Sequence, residues 1–208
     1  MRIALIHALK HSIVPIEAAF AHLWPEARLA NLLDDSLSAD LARDGALTDA
    51  MTGRFLTLAR YAANAGADGI LFTCSAFGPC IAACAEMLAP MPVLKPNEAM
   101  IEEAVAIGGR IGLLATFAPT LASMPPEFPA SVTLVPCLAD GAMAALDRGD
   151  FAAHDASAVA AARDLAGCDA IALAQFSLAR ASGAIAAAIG KPVLTTPDSA
   201  VRARTVIL

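Results

Sequence analysis

The chain has 208 residues, of which 58% are hydrophobic and 16% charged, and its formal net charge is −6. This composition excludes intrinsic disorder, because the chain can bury enough apolar surface to offset the entropy lost on folding. The acidic balance argues against nucleic acid as a partner, since a phosphate backbone demands a basic surface.

The longest apolar stretch covers residues 69–85. It is shorter than the ~20 residues of a membrane span and contains Pro79, so no membrane segment is predicted. A signal peptide is not expected either, because His7, Lys10 and His11 interrupt the apolar start of the chain. The five cysteines are odd in number and scattered, which is untypical of a disulfide framework. We therefore expect a cytoplasmic protein with free thiols.

Along the chain, apolar runs alternate between the strand and helix periods. Residues 2–6 are typical of a strand buried on both faces, and a helical pattern follows over residues 12–24. Beyond these we predict strands at 29–33, 69–73 and 132–135, helices at 48–65 and 76–88, and an extended segment at 92–94. Such alternation predicts a parallel sheet covered by helices.

Three segments of the first half return in the same order in the second. Arg2-Ile-Ala-Leu-Ile6 returns as Arg110-Ile-Gly-Leu-Leu114, residues 66–74 correspond to 167–175, and residues 92–94 to 192–194. Chance similarity between alanine-rich segments is the alternative. We predict two similar α/β halves, residues 1–107 and 108–208, and leave open whether the C-terminal residues pack back on the first half.

Parallel sheets present their ligand sites at the carboxyl ends of the strands. In the alignment of the two halves, these ends place Cys74 opposite Gln175 across a cleft. Cys74 lies between a predicted strand and a predicted helix, flanked by Thr73 and Ser75. The amides and dipole of a helix start stabilise a thiolate and bind a carboxylate, so we expect a lowered pKa for the Cys74 thiol. The alternative is a small buried cysteine that only fills the core.

The segments GADGILFTCSA (66–76), RIGLLAT (110–116) and CDAIALA (168–174) together resemble the aspartate/glutamate racemase superfamily. This group includes amino-acid and hydantoin racemases, maleate isomerase and arylmalonate decarboxylase. The resemblance implies two Rossmann-like halves related by a pseudo-twofold axis, each a parallel sheet flanked by helices, with the active-site cleft between them. It also implies a small carboxylate substrate, no cofactor, no metal and a homodimer.

Residue by residue, the resemblance makes Cys74 a catalytic thiol, acting as acid and base or as nucleophile. Thr116 matches a loop that holds the substrate carboxylate in relatives, and Ser75 matches the residue beside the cysteine. The residues predicted to bind substrate all follow strand ends: His7, Thr73, Ser75, Thr116, Phe117, Gln175 and Phe176.

The chain departs from relatives with two cysteines at Gln175, which stands in place of the second thiol. An amide does not exchange protons, so a symmetrical two-base racemisation is disfavoured. Gln175 is instead suited to donate a hydrogen bond to a carboxylate or carbonyl. We expect a cofactor-independent racemase-like or isomerase-like enzyme that acts at a carbon next to a carboxylate. The alternatives are a single-cysteine decarboxylase of a malonate-type acid and an inactive carboxylate-binding protein.

Other polar residues leave alternatives open. His7 and Cys137 are candidates for the missing acid or base, and each also fits a structural role. Asp34 and Asp35 follow the second strand, where a carboxylate contacts a substrate amino group or caps a helix. Cys80 and Cys84 share a helix face but lack further ligands at metal spacing, so we assign them to the core.

Overall fold

The computed structural model describes residues 1–203, which form two four-stranded parallel sheets flanked by helices. The first sheet has the strand order β2-β1-β3-β4. Its strands are β1 (Arg2–His7), β2 (Arg28–Leu33), β3 (Gly69–Phe72) and β4 (Val93–Leu94). The helices of this half are α1 (Ile13–Leu23), α2 (Ser36–Asp44), α3 (Asp49–Asn64), α4 (Gly78–Leu88) and α5 (Glu98–Ile107).

The second sheet repeats the topology with the order β6-β5-β7-β8. Its strands are β5 (Arg110–Ala115), β6 (Thr133–Leu138), β7 (Ala170–Leu173) and β8 (Val193–Thr195). The helices of this half are α6 (Ala118–Ser123), α7 (Ala142–Asp147), α8 (Phe151–Arg163), α9 (Ser182–Ile189) and α10 (Thr196–Arg202). The prediction of two similar α/β halves, each with a parallel sheet flanked by helices, is confirmed.

Equivalent aspartates secure equivalent strands in the two halves. The Asp68 carboxylate accepts a hydrogen bond from the Arg2 backbone N–H at 2.7 Å, and Asp169 accepts one from Arg110 N–H at 2.8 Å. Gly109 is needed for the second bond, because a Cβ on it would lie 2.2 Å from an Asp169 carboxylate oxygen. The repeated Asp in the sequence therefore has a structural cause: it ties the start of the central strand to the start of its neighbour.

Local sequence explains most element boundaries. Strands β3 and β7 are buried along their whole length, as their uninterrupted apolar runs predict. Helix α3 begins after Thr48, whose side chain accepts a hydrogen bond from Met51 N–H at 3.2 Å. Helix α2 is an element that the sequence analysis did not predict. Its buried face consists of Leu37 and Leu41 at helical spacing, but the helix is only nine residues long.

The two halves share one apolar cluster, to which β1 and β3 contribute Ile3, Leu5 and Leu71. The second half contributes Phe176, together with Ala200 and Val201 of α10. Helix α10 packs against α1 of the first half, while residues 204–208 lie outside the described residues. Among residues 1–203, no helix combines the length and apolar character needed to cross a bilayer.

Candidate active site

A cavity of about 330 Å³ lies where the carboxyl ends of the two sheets' strands meet. The first half lines it with residues 73–77 after β3, and the second half with residues 175–177 after β7. Cys74 and Gln175 are each 7% exposed and both line this cavity. The structure thus brings Cys74 and Gln175, which are equivalent in the repeat, to one site, as expected for residues at the carboxyl ends of parallel strands.

Cys74 is held by the strand beside it. Its Sγ accepts a hydrogen bond from the Ala8 backbone N–H at 2.9 Å and lies 3.6 Å from the Ile6 carbonyl oxygen. Burial raises the pKa of the Cys74 thiol to about 12, against the opposing effects of the Ala8 amide and Thr73. The expected lowering of this pKa is therefore wrong. A 3₁₀ turn, Ser75–Phe77, separates Cys74 from the start of α4, and a helix dipole fades within one turn.

Gln175 is oriented by Thr116. Its Oε1 accepts hydrogen bonds from the Thr116 backbone N–H at 2.6 Å and from Thr116 Oγ1 at 3.1 Å. A backbone N–H only donates, so the amide atom that faces it must be the oxygen. The NH₂ group is consequently left for the cavity, where it can donate to a carboxylate.

Two serine hydroxyls in the cavity wall are unsatisfied. Ser75 Oγ and Ser177 Oγ are buried and have no hydrogen-bond partner within residues 1–203. Buried hydroxyls without a partner are destabilising, so such groups mark a place for a polar ligand or water. Phe117 and Phe176 supply apolar wall beside them.

The remaining predicted residues lie at different depths. Thr73 lines the cavity, whereas His7 is fully buried behind it and bonds Thr73 Oγ1 through Nδ1 at 2.7 Å. Thr116 is buried behind the cavity wall and bonds Gln175, which lines the cavity. Cys137 does not belong to the cavity wall; it is half-buried and its Sγ donates to the Ala161 carbonyl oxygen at 3.5 Å. The structure places neither His7 nor Cys137 where a second catalytic thiol would stand.

Sequence reasoning missed several groups in the wall. Lys10, Ser38 and Asp147 line the cavity, as does Asp35, one of the two aspartates singled out after the second strand. Its neighbour Asp34 is instead ion-paired with Arg54. The sequence could have indicated Lys10 as a site residue, since it is the first cation after β1. No feature of the sequence indicated Asp147, because it lies at the end of α7 and lines the cavity only where the two halves pack together. Within the described residues, no three His, Cys, Asp or Glu side chains are grouped to hold a metal ion.

Comparison with solved structures finds the same fold in several enzymes. Glutamate racemase RacE1 from Bacillus anthracis superposes with a TM-score of 0.77 at 12% identity, covering 99% of this chain and 80% of that one. Allantoin racemase from Klebsiella pneumoniae gives 0.74 at 20% identity, covering 98% and 85%. Arylmalonate decarboxylase gives 0.67 at 18% identity, covering 100% and 92%. These similarities concern the fold. No curated protein sequence matches significantly.

The family comparison concerns the sequence itself. The profile described as Asp/Glu/hydantoin racemase matches residues 16–124, just over half of the 208 residues. This segment contains Cys74 and extends through Thr116 into the second half. The chain therefore belongs to the Asp/Glu/hydantoin racemase family.

Proposed function

We propose that the protein is a cofactor-independent enzyme that transfers a proton at a carbon next to a carboxylate, with Cys74 as the transferring group. The observation that carries this proposal is the pair formed across the cavity, one thiol in the first half and one amide in the second. A thiol can give or take a proton, whereas an amide at the equivalent position can only hold the substrate.

Both halves contribute groups to the cavity that can bind a carboxylate. The amide NH₂ of Gln175 and the unpartnered hydroxyls of Ser75 and Ser177 provide hydrogen bonds. Lys10 adds positive charge at the wall. We propose that these groups hold the substrate carboxylate while the apolar side chains of Phe117 and Phe176 receive the rest of the molecule.

The state of the thiol favours proton donation. Because burial raises the pKa of Cys74 to about 12, the unliganded enzyme carries a thiol at neutral pH, which is an acid rather than a base. An acid suits decarboxylation of a malonate-type substrate. The bond from the α-carbon to one carboxyl breaks, carbon dioxide leaves, and the electron pair stays on the α-carbon. The Cys74 proton then forms the new C–H bond and leaves a thiolate, which solvent protonates.

Racemisation is the second candidate. It requires a base on the opposite face of the α-carbon, and the carboxylates of Asp35 and Asp147 also line the cavity. Membership of a family described by its racemases supports this reading.

Incubation of the enzyme in deuterated water with arylmalonates, alkylmalonates, amino acids and hydantoins tests both candidates. Carbon dioxide release with a single enantiomer deuterated at the α-carbon supports single-face protonation. Deuterium incorporation with loss of optical activity and no carbon dioxide identifies a racemase. Carboxylate binding in calorimetry with no exchange of any α-hydrogen overturns the proposal and leaves a binding protein. Cys74→Ser is the control, in which exchange should fall by at least about 10²-fold.

A further inference from the structure

A chain of hydrogen bonds runs from behind the cavity to the surface. His7 Nδ1 meets Thr73 Oγ1 at 2.7 Å, and His7 Nε2 meets Asn31 Oδ1 at 2.9 Å. Asn31 Nδ2 in turn donates to the Glu17 carboxylate at 2.8 Å. His7 is fully buried at the end of β1, whereas Asn31 lies on the exposed edge strand β2. The ring of His7 therefore connects a residue of the cavity wall to the protein surface.

The donor and acceptor of each hydrogen bond can be assigned by starting from Glu17, the last group of the series. The Glu17 carboxylate only accepts, so Asn31 turns its NH₂ toward Glu17 and its oxygen toward His7. That oxygen also only accepts, so His7 Nε2 carries a hydrogen. Burial lowers the pKa of His7, and the imidazole is neutral at pH 7. Its Nδ1 is consequently bare and accepts the hydrogen of the Thr73 hydroxyl.

Thr73 and Cys74 converge on the same carbonyl. Thr73 Oγ1 lies 3.5 Å and Cys74 Sγ 3.6 Å from the Ile6 carbonyl oxygen. At 3.5 Å the Ile6 oxygen does not compete with His7 for the Thr73 hydrogen. While His7 is neutral, the Thr73 hydrogen is directed to Nδ1, so the Thr73 hydroxyl stabilises the neighbouring Cys74 thiolate less than it would with its hydrogen turned toward sulfur. In this state Cys74 Sγ still accepts the hydrogen bond from the Ala8 N–H.

We propose that His7 is a positioning residue that sets the protonation state of Cys74 through the Thr73 hydroxyl. When His7 gains a proton on Nδ1, it donates to Thr73 Oγ1, and the Thr73 hydrogen turns toward sulfur and stabilises the thiolate. The reverse shift regenerates the acid: the Nδ1 proton moves to Thr73 Oγ1, and the Thr73 hydrogen moves to Sγ. The result is a thiol and a neutral imidazole. This inference rests on the proposed role of Cys74 in proton transfer.

Few charges act on His7. The hydrogen bond to Asn31 and the charge of Glu17 on α1 favour the imidazolium form. Cys74 interacts with the side chain of Thr73, the residue that His7 bonds. The hydrogen-bonding neighbours on β2 and after β3, Asn31 and Thr73, are uncharged. A thiolate and an imidazolium linked by one hydroxyl stabilise each other, and this coupling is reciprocal.

The coupling has a signature that needs no substrate. A lone thiol is alkylated in proportion to its thiolate fraction, so its rate falls tenfold for each pH unit below the pKa. The thiolate–imidazolium pair contains the same number of protons as the neutral pair, so its population does not change with pH. The rate constant for iodoacetamide alkylation of Cys74, followed by mass spectrometry of its peptide, should therefore level off between about pH 6 and 9.

Variants separate this coupling from a structural role of the same residues. Thr73→Val keeps the shape but lacks the hydroxyl, and it should restore the tenfold fall per pH unit; Thr73→Ser should keep the plateau. Glu17→Gln, at a half-buried helix position, should lower the plateau about threefold. In a Thr73→Val background, Glu17→Gln should change nothing.

Two results overturn the inference: a wild-type rate that falls tenfold per pH unit throughout, or a plateau that survives in Thr73→Val. Since alkylation is independent of turnover, a plateau in an enzyme that exchanges no substrate hydrogen contradicts the proposed function alone. Turnover without a plateau contradicts the role of His7 alone.

Discussion

The backbone N–H of Thr116 donates to Oε1 of Gln175 at 2.6 Å, at the place in the second half where Ala8 N–H meets Cys74 Sγ in the first. The register of the sheets explains the match. Ile6 pairs with Phe72 as Leu114 pairs with Leu173, and each donor and acceptor stands two residues beyond its pair. The fold therefore keeps two equivalent sites, and the sequence has placed a thiol in only one of them.

Restoring the symmetry should create a second acid. In Gln175→Cys, the new sulfur lies where Thr116 N–H can donate to it, as Ala8 N–H does to Cys74. Racemisation of a chiral carbon acid bound in the cavity should rise about 10²-fold, because a proton can then enter from the second face. Chiral chromatography of the product measures it. Gln175→Ser is the matched control; equal racemisation in both variants would show that the second thiol is inert.

The charge of an alkylating reagent should decide which cysteine reacts. Cys137 is more exposed than Cys74 and should be labelled first by neutral iodoacetamide. Iodoacetate carries a carboxylate, which the Gln175 amide, Lys10 and the two unpartnered serine hydroxyls should hold beside Cys74 against the repulsion of the aspartates in the same wall. Burial and the negative charge of Asp164 raise the pKa of Cys137, and that charge also repels iodoacetate. The ratio of Cys74 to Cys137 labelling should therefore rise at least about tenfold from iodoacetamide to iodoacetate.

Peptide mass spectrometry gives both rates in one digest. In Gln175→Glu, the carboxylate at the cavity repels iodoacetate and the preference should vanish, while iodoacetamide labelling of Cys74 changes little. A preference that persists in Gln175→Glu would mean that this side of the cavity does not bind carboxylates.

Much of this site follows from the sequence, and the reasons are local. The strands before Cys74 and Gln175 are continuous apolar runs, and the repeat aligns them without any knowledge of packing. The raised pKa of Cys74 was not predictable, because burial in the folded chain, rather than the adjacent helix start, dominates it. Likewise, no pattern connects His7 to Thr73, 66 residues apart, before the register of β1 and β3 is known.

Replacing Cys74 by Ser should separate catalysis from folding. The hydroxyl nearly preserves the volume and can still accept the Ala8 N–H bond, so the free energy of unfolding should change by less than about 1 kcal/mol. Activity on an identified substrate should fall by about 10²- to 10⁴-fold, because a serine hydroxyl is a far weaker acid. Cys137→Ser, outside the cavity, is the control that should keep full turnover. Comparable turnover in Cys74→Ser would show that other groups perform the chemistry.

The wall segment of residues 34–40 depends on one cation of α3. Arg54 donates to Asp34 at its start through Nε at 2.9 Å and to Asp40 at its end at 2.6 Å. Between these anchors, Asp35, Ser38 and Ala39 line the cavity. Burial alone would raise the pKa of Asp34, but the hydrogen bonds from Arg54 and Ser36 outweigh it and lower the pKa below its ordinary value.

The lowered pKa of Asp34 fixes the direction of the pH dependence. The Arg54–Asp34 pair contributes its full stabilisation above the ordinary Asp value of about 4 and loses it as the pH falls through the lower folded-state pKa. Arg54→Met should therefore lower the free energy of unfolding at pH 7, with the partly exposed Arg54–Asp34 pair accounting for about 1 kcal/mol. Urea titrations at pH 7 and about pH 2 measure the difference, which should shrink at the lower pH.

Arg43→Met, which removes a mostly exposed arginine from its carboxylate partners, is the control and should have no measurable effect. A loss in Arg54→Met that is as large in acid as at neutral pH would mean that Arg54 stabilises the wall by packing, not by charge.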